Sequence, residues 1–224
     1  MKKFIVFCIL VASSSLLFSQ NAFERRNQIK FSPMRTINLL NPGFELSFER
    51  KFTEIFSTQI AVAYLVDLLR SHDNNRQNYS GYRIMLEQKL FYANATRNNI
   101  RAYISLGTGY YSVNMISSAF FMPRGIELGD PLYYDSQYWD MFNLKRTGVI
   151  INVKTGVQFL INRVSIDFSF GLGIIIQNVT HTNRLNPEDR MATPRHLNVW
   201  YMTEREGRNV RPNFPFTLKI GYSF

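Results

Sequence analysis

The feature that most constrains this chain is a strict alternation of apolar and polar residues, repeated over eight stretches. In the stretch 43–51, Phe44, Leu46 and Phe48 alternate with Glu45 and Glu49, so each set occupies one face. A period of two is typical of β-strands with one apolar and one polar side. The eight stretches are 28–37, 43–51, 56–66, 82–92, 100–111, 147–159, 164–174 and 214–224. The first is the least regular, because Pro33 and Arg35 interrupt it. The chain is therefore predicted to be all-β.

The connections between these stretches alternate in length. Short connections fall at 51–55, 93–99 and 161–163, whereas long ones fall at 67–79, 112–146 and 178–213. Short turns at one end and long loops at the other are typical of up-and-down membrane barrels. Strands of about 9–12 residues are also long enough to cross a bilayer at a tilt. We therefore expect an eight-stranded antiparallel up-and-down transmembrane β-barrel with long extracellular loops.

The composition of the two faces favours a membrane barrel over a soluble one. The apolar faces carry no charged residue, as contact with lipid requires. The polar faces hold small residues and charges of both signs, which suits a narrow interior that side chains fill. A soluble, lipocalin-like barrel is the alternative. The predicted ion-pair network of the lumen comprises Glu45, Glu49, Arg83, Glu87, Lys89, Arg101, Lys154, Asp167 and Lys219.

The N-terminus has the layout of a secretory signal peptide. Lys2 and Lys3 precede an apolar run that is too short for a comfortable transmembrane helix, and small residues follow it. We expect residues 1–19 to be removed, so that 20–224 form the barrel domain. The only cysteine, Cys8, lies in the signal, which excludes a disulfide scaffold and a cysteine-based zinc site. The protein is expected to reside in the outer membrane.

The last stretch carries a more specific pattern. It ends on an aromatic residue, with apolar residues at every second position before it; these are Phe216, Leu218, Ile220, Tyr222 and Phe224. Together with the signal peptide and the segment 41–49, this pattern is similar to the small OmpA/OmpX-like outer-membrane barrels of Gram-negative bacteria. The resemblance covers essentially the whole mature chain. It implies that these five residues are an assembly signal, read by the barrel assembly machinery during insertion.

The sequence does not indicate a catalytic site. His72, His181 and His196 all fall in predicted loops without the spacing of a triad or of metal ligands, so no cofactor or metal is predicted. The expected role is structural or interactive, with loops that engage lipopolysaccharide or a protein partner. A lipid A-modifying enzyme, a narrow pore and a barrel component of an export machine remain alternatives. Export argues against nucleic acid as a partner.

Overall fold

In a computed structural model, the alternating stretches form strands that close into an eight-stranded antiparallel barrel. The structure describes residues 26–35, 41–66, 76–95, 100–126, 130, 132–192 and 203–224. The predicted signal peptide, His72 and His196 lie outside these residues. The strands are β1 (Asn27–Phe31), β2 (Gly43–Lys51), β3 (Phe56–Val66), β4 (Arg76–Ala95), β5 (Ile100–Met122), β6 (Tyr138–Ile161), β7 (Val164–Thr182), β8 (Arg190–Met191), β9 (Gly207–Asn213) and β10 (Phe216–Ser223). A 3-10 helix spans Pro33–Arg35.

The eighth wall of the barrel is made of β9 and β10 in succession. Both pair with β7 in one continuous register, and β10 also pairs with β1, which closes the barrel. Strand β1 ends early because Pro33, opposite Leu218, has no backbone N–H to donate. The Ser32 hydroxyl instead donates to the Leu218 carbonyl oxygen at 3.2 Å. The predicted first stretch, 28–37, is therefore shorter as a strand than the alternation suggested.

The register gives the tilt of the strands. Gln28 pairs directly with Ser223 across the closure of the barrel. If one starts again at Gln28 and moves from each residue to its partner on the next strand, the other way around the barrel, one arrives at Asn213, ten residues before Ser223. The intermediate partners are Glu49, Gln59, Glu87, Gly107, Asn152 and Gly173. A stagger of this size in eight strands corresponds to a tilt of about 35–45°. The turns 52–55 and 162–163 mark one end, the short-turn end, and the opposite end is the long-loop end.

An apolar belt surrounds the barrel near the short-turn end. Every wall contributes outward-facing apolar side chains, and one from each wall has an exposed fraction between 37% and 60%. These eight are Phe31, Leu46, Ile60, Leu86, Leu106, Val153, Phe170 and Ile220. On β7 the belt runs from Val164 to Ile174, which at this tilt is about 25 Å along the barrel axis. Tyr82 and Tyr110 lie at its upper edge, with ring centroids 6.2 Å apart.

Beyond the belt, the strands continue into regions that the sequence assigned to loops. Strand β5 extends to Met122, β6 begins at Tyr138, and β7 continues to Thr182, so the expected loops 112–146 and 178–213 are shorter than predicted. Here the polarity of the wall inverts. Below Tyr110 the apolar residues of β5 face outward, but above it Val113 and Phe121 face inward and are fully buried. The expectation was wrong because the alternation changes phase where the wall leaves the belt.

The hydrophobic core accordingly lies inside the long-loop end, above the belt. Phe121 and Phe142 form an edge-to-face pair with ring centroids 5.2 Å apart. Val113, Leu144 and Val179 are among the other core residues, each no more than 1% exposed. The segment 183–189 passes over this core before β8 adds to the edge of β5. The long-loop end is therefore closed by packed side chains.

Candidate functional site

A ring of four charges closes the lumen at the short-turn end. Strand alternation turns Lys30 of β1, Glu49 of β2, Lys89 of β4 and Asp167 of β7 inward to one level. Lys30 Nζ lies 2.6 Å from Glu49 Oε2 and 2.6 Å from Asp167 Oδ2. Lys89 Nζ lies 2.8 Å and 2.5 Å from the same two oxygens. Each lysine thus bridges both carboxylates, and the charges of the ring balance.

The ring is completed by neutral donors. The Tyr103 hydroxyl donates to Asp167 Oδ1 at 2.6 Å, and the Ser57 hydroxyl donates to Glu49 Oε1 at 2.9 Å. Lys89 Nζ also lies 4.5 Å from the centroid of the Tyr103 ring. Both oxygens of each carboxylate are therefore bonded. A buried ion pair is stable only when its geometry and its remaining hydrogen bonds are of this quality.

A second cluster lies above the ring. Lys154 Nζ is 2.5 Å from Glu87 Oε2, and the Ser105 hydroxyl donates to Glu87 Oε1 at 2.7 Å. Arg83 is paired with Glu45. Lys219 Nζ joins the two halves, at 3.6 Å from Glu45 Oε1 and 4.0 Å from Glu87 Oε2; these five ionised residues are Glu45, Arg83, Glu87, Lys154 and Lys219. The barrel interior is thus crossed by two successive layers of ion pairs.

The structure brings together eight of the nine residues predicted for the lumen network. The exception is Arg101, which is half-buried near the short-turn end and forms no ion pair with any residue in the described ranges. Sequence reasoning missed Lys30, a member of the ring. The alternation of Gln28, Lys30 and Ser32 with Ile29 and Phe31 was the available signal, and the proline that follows obscured it.

A serine, a histidine and a carboxylate do meet inside the long-loop end, but not in a catalytic order. The Ser117 hydroxyl donates to Glu204 Oε2 at 2.8 Å, while His181 Nε2 lies 2.7 Å from the Glu204 backbone oxygen. In a triad the histidine lies between the serine and the acid. All three side chains are buried, and the His181 ring packs 4.4 Å from that of Phe142. The arrangement anchors segment 203–206 to β5 and β7.

The arginines of the predicted loop 178–213 do not form one patch. Arg184 pairs with Glu206 and lies over the Phe121 ring at 5.1 Å. Arg190 donates to the backbone oxygen of Ile126. Arg205 and Arg208 are exposed, Arg211 is buried in the lumen, and Arg195 lies outside the described residues. These arginines are therefore divided between the exterior and the interior of the barrel.

The C-terminal residues lie at the closure of the barrel. Phe216, Ile220 and Tyr222 are about half exposed on the apolar belt, and Leu218 is partly covered. Phe224 follows the end of β10, and its backbone nitrogen donates to the Asn27 carbonyl oxygen at 3.0 Å. The alternating row predicted as an assembly signal is thus the outer face of the closing strand.

Comparisons with protein-family models, curated proteins and solved structures found no match. None of the helices in the described ranges is long and apolar enough to cross a membrane. Within the same ranges, no group of three or more His, Cys, Asp and Glu side chains is arranged to hold a metal ion.

Proposed function

We propose that this protein is an outer-membrane barrel of the small OmpA/OmpX-like kind, with a sealed interior. The part of the barrel wall above the belt, at the long-loop end, would lie outside the cell. One observation carries the proposal: below the long-loop end, the barrel is apolar and uncharged outside and ionic inside. That is the polarity a barrel needs in lipid, and the opposite of a soluble barrel. The inversion of polarity above Tyr110 is expected where the wall enters water.

A matched pair of substitutions tests the membrane location. Leu106 and Asn114 both lie on the outer face of β5, but only Leu106 belongs to the belt. Arginine at the middle of a bilayer costs about 2–4 kcal/mol, and near zero outside it. We therefore expect Leu106→Arg to lower the amount of protein in isolated outer membranes, while Asn114→Arg leaves it unchanged. Equal tolerance of both substitutions would contradict the membrane proposal.

The two ionic layers support a plugged lumen rather than a pore. Their side chains meet at hydrogen-bond distances across the lumen, for example from Lys30 on β1 to Asp167 on β7. An eight-stranded barrel has little free bore once such side chains are packed. Purified protein in planar bilayers is expected to give no stable conductance steps. Reproducible steps from the unmodified protein would favour the pore alternative.

An interaction role, rather than a purely structural one, is supported by the outer face of the β5–β6 hairpin. Phe120, Trp139 and Met141 are 45–50% exposed there, well above the belt. The rings of Phe120 and Trp139 pack edge to face with centroids 4.8 Å apart. Exposed apolar clusters outside lipid commonly contact proteins. We expect Phe120→Ser with Trp139→Ser to abolish co-purification of a partner that wild-type protein retains.

Replacing polar neighbours on the same outer face provides the control for this experiment. Ser118→Ala with Asn143→Ala changes the two strands without removing apolar area. The control variant should retain the partner. Loss of the partner from both variants, or from neither, would contradict a role of the aromatic pair in the interaction.

A further inference from the structure

Two arginine side chains are buried inside the long-loop end, apart from the ionic layers. Arg146 of β6 is fully buried and Arg211 of β9 is 7% exposed. Arg211 pairs across the sheet with Ile175, next to the upper edge of the belt at Ile174. A buried guanidinium is costly unless an anion or several acceptors compensate its charge.

The two guanidinium groups are linked through a tyrosine and a glutamine. The Arg146 guanidinium lies 5.8 Å from the centroid of the Tyr111 ring. The Tyr111 hydroxyl donates to Gln177 Oε1 at 2.7 Å, and the same oxygen accepts from Arg211 Nε at 3.2 Å. Arg146 Nη2 donates to Asn41 Oδ1 at 2.7 Å. We call Arg146, Arg211, Tyr111 and Gln177 the arginine cluster.

Arg211 is less well compensated than the buried lysines of the ring. Its Nη2 atom is buried without a hydrogen-bond partner, and no carboxylate in the described ranges pairs with it. Lys30 and Lys89, by contrast, each contact two carboxylates. The neutral Gln177 oxygen satisfies only one of the donors that the Arg211 fork offers. A second guanidinium in the same cluster adds further positive potential.

We propose that the arginine cluster binds a phosphate-class oxyanion, with Arg211 Nη2 as its principal donor. The planar guanidinium fork matches the spacing of phosphate oxygens, and such charge-assisted bonds are strong in a buried site. Free phosphate and the phosphate of a larger molecule, such as lipopolysaccharide, present the same group.

The test is thermal unfolding of the full-length protein, purified in detergent, in sodium phosphate and in sodium chloride at equal ionic strength. We expect phosphate to raise the unfolding midpoint in a saturable manner. Removing one charge-assisted bond weakens binding by about tenfold to a hundredfold. Arg211→Met should therefore shift the phosphate dependence by that factor. Arg208→Met is the matched control, because Arg208 lies on the same strand but is exposed, and it should bind like wild type.

Arg211→Lys keeps the positive charge but lacks the planar guanidinium group. This variant tests the proposal if Arg211→Met does not fold. It should bind phosphate more weakly than wild type. Purified lipopolysaccharide, added in place of phosphate, distinguishes the two sources of the anion. A wild-type midpoint that responds equally to phosphate, lipopolysaccharide and chloride overturns the proposal. So does an equal loss of the phosphate response in Arg208→Met.

Discussion

Replacing Asp167 with asparagine should remove one negative charge from the ring without changing its shape. Asp167 accepts from Lys30 at 2.6 Å, from Lys89 at 2.5 Å and from Tyr103 at 2.6 Å, all within the buried lumen. The asparagine would leave two lysines facing one carboxylate, that of Glu49. Breaking a buried ion pair by removing one partner costs about 3–5 kcal/mol. We expect the free energy of unfolding to fall by that amount.

The assay is urea unfolding of the protein in lipid vesicles, followed by intrinsic fluorescence and by the heat-dependent gel shift of folded barrels. Glu188→Gln is the control, because its pair with Arg124 is exposed, with both side chains more than 75% accessible. Exposed pairs contribute about 0–1 kcal/mol. A double variant, Lys89→Met with Asp167→Leu, restores charge balance and should be more stable than Asp167→Asn. An Asp167→Asn variant no less stable than the Glu188→Gln control would refute the compensation argument.

Deleting Phe224 should make the chain accumulate outside the outer membrane, while urea-unfolded protein still refolds in detergent; normal outer-membrane levels would show that it is no assembly signal. Gly156→Ala should destabilise the barrel by about 1–3 kcal/mol, because a Cβ there would lie 2.5 Å from the Tyr103 ring. Gly107→Ala, whose nearest atom would be 3.7 Å away, should be tolerated in the same urea titration. The Tyr138 hydroxyl donates a hydrogen bond to Asp189, in the segment before β8, and this bond lowers the pKa of the Asp189 carboxyl group. The ionised Asp189 therefore stabilises the segment 183–191 near neutral pH, and this stabilisation is lost below about pH 4. Proteolysis of the segment should become faster below that pH and stay constant above about pH 6.

The eight strands could be predicted because the apolar belt outside the barrel and the ionic lumen inside it place opposite demands on alternate residues. Where both demands act, as in β2 and β3, the predicted and observed bounds coincide at 43–51 and 56–66. Above the belt, the outer face becomes more polar and most apolar residues lie on the inner face. In β5 this shift of phase occurs at Tyr110 and Tyr111, and it resembles an end of the strand. The extensions were missed for that reason.

Most members of the lumen network could be predicted from their face, but not their partners. Alternation assigns Glu49 and Asp167 to the interior, yet they contact the same lysines only because the barrel brings β2 and β7 to one level. Which residues share a level depends on the stagger of the strands around the whole barrel, and the sequence of a single strand does not determine that stagger. Arg101 shows the same limit, since it lies near the end of a strand and below the network. The arginine cluster was missed because Arg146 and Arg211 fell in predicted loops.

The inversion of polarity along one unbroken strand has a consequence for pairing errors during folding. If β6 slipped by one residue against β5, each residue of the slipped strand would turn to the other face. The error would place the charged side chain of Lys154 in the apolar belt and, on the same strand, that of Lys145 in the hydrophobic core. Two penalties of opposite origin would thus oppose a single slip. A slip of β5 by two residues against β4 would preserve the faces, but it would displace Tyr110 from Tyr82 by about 7 Å and so break the contact between the two tyrosine rings.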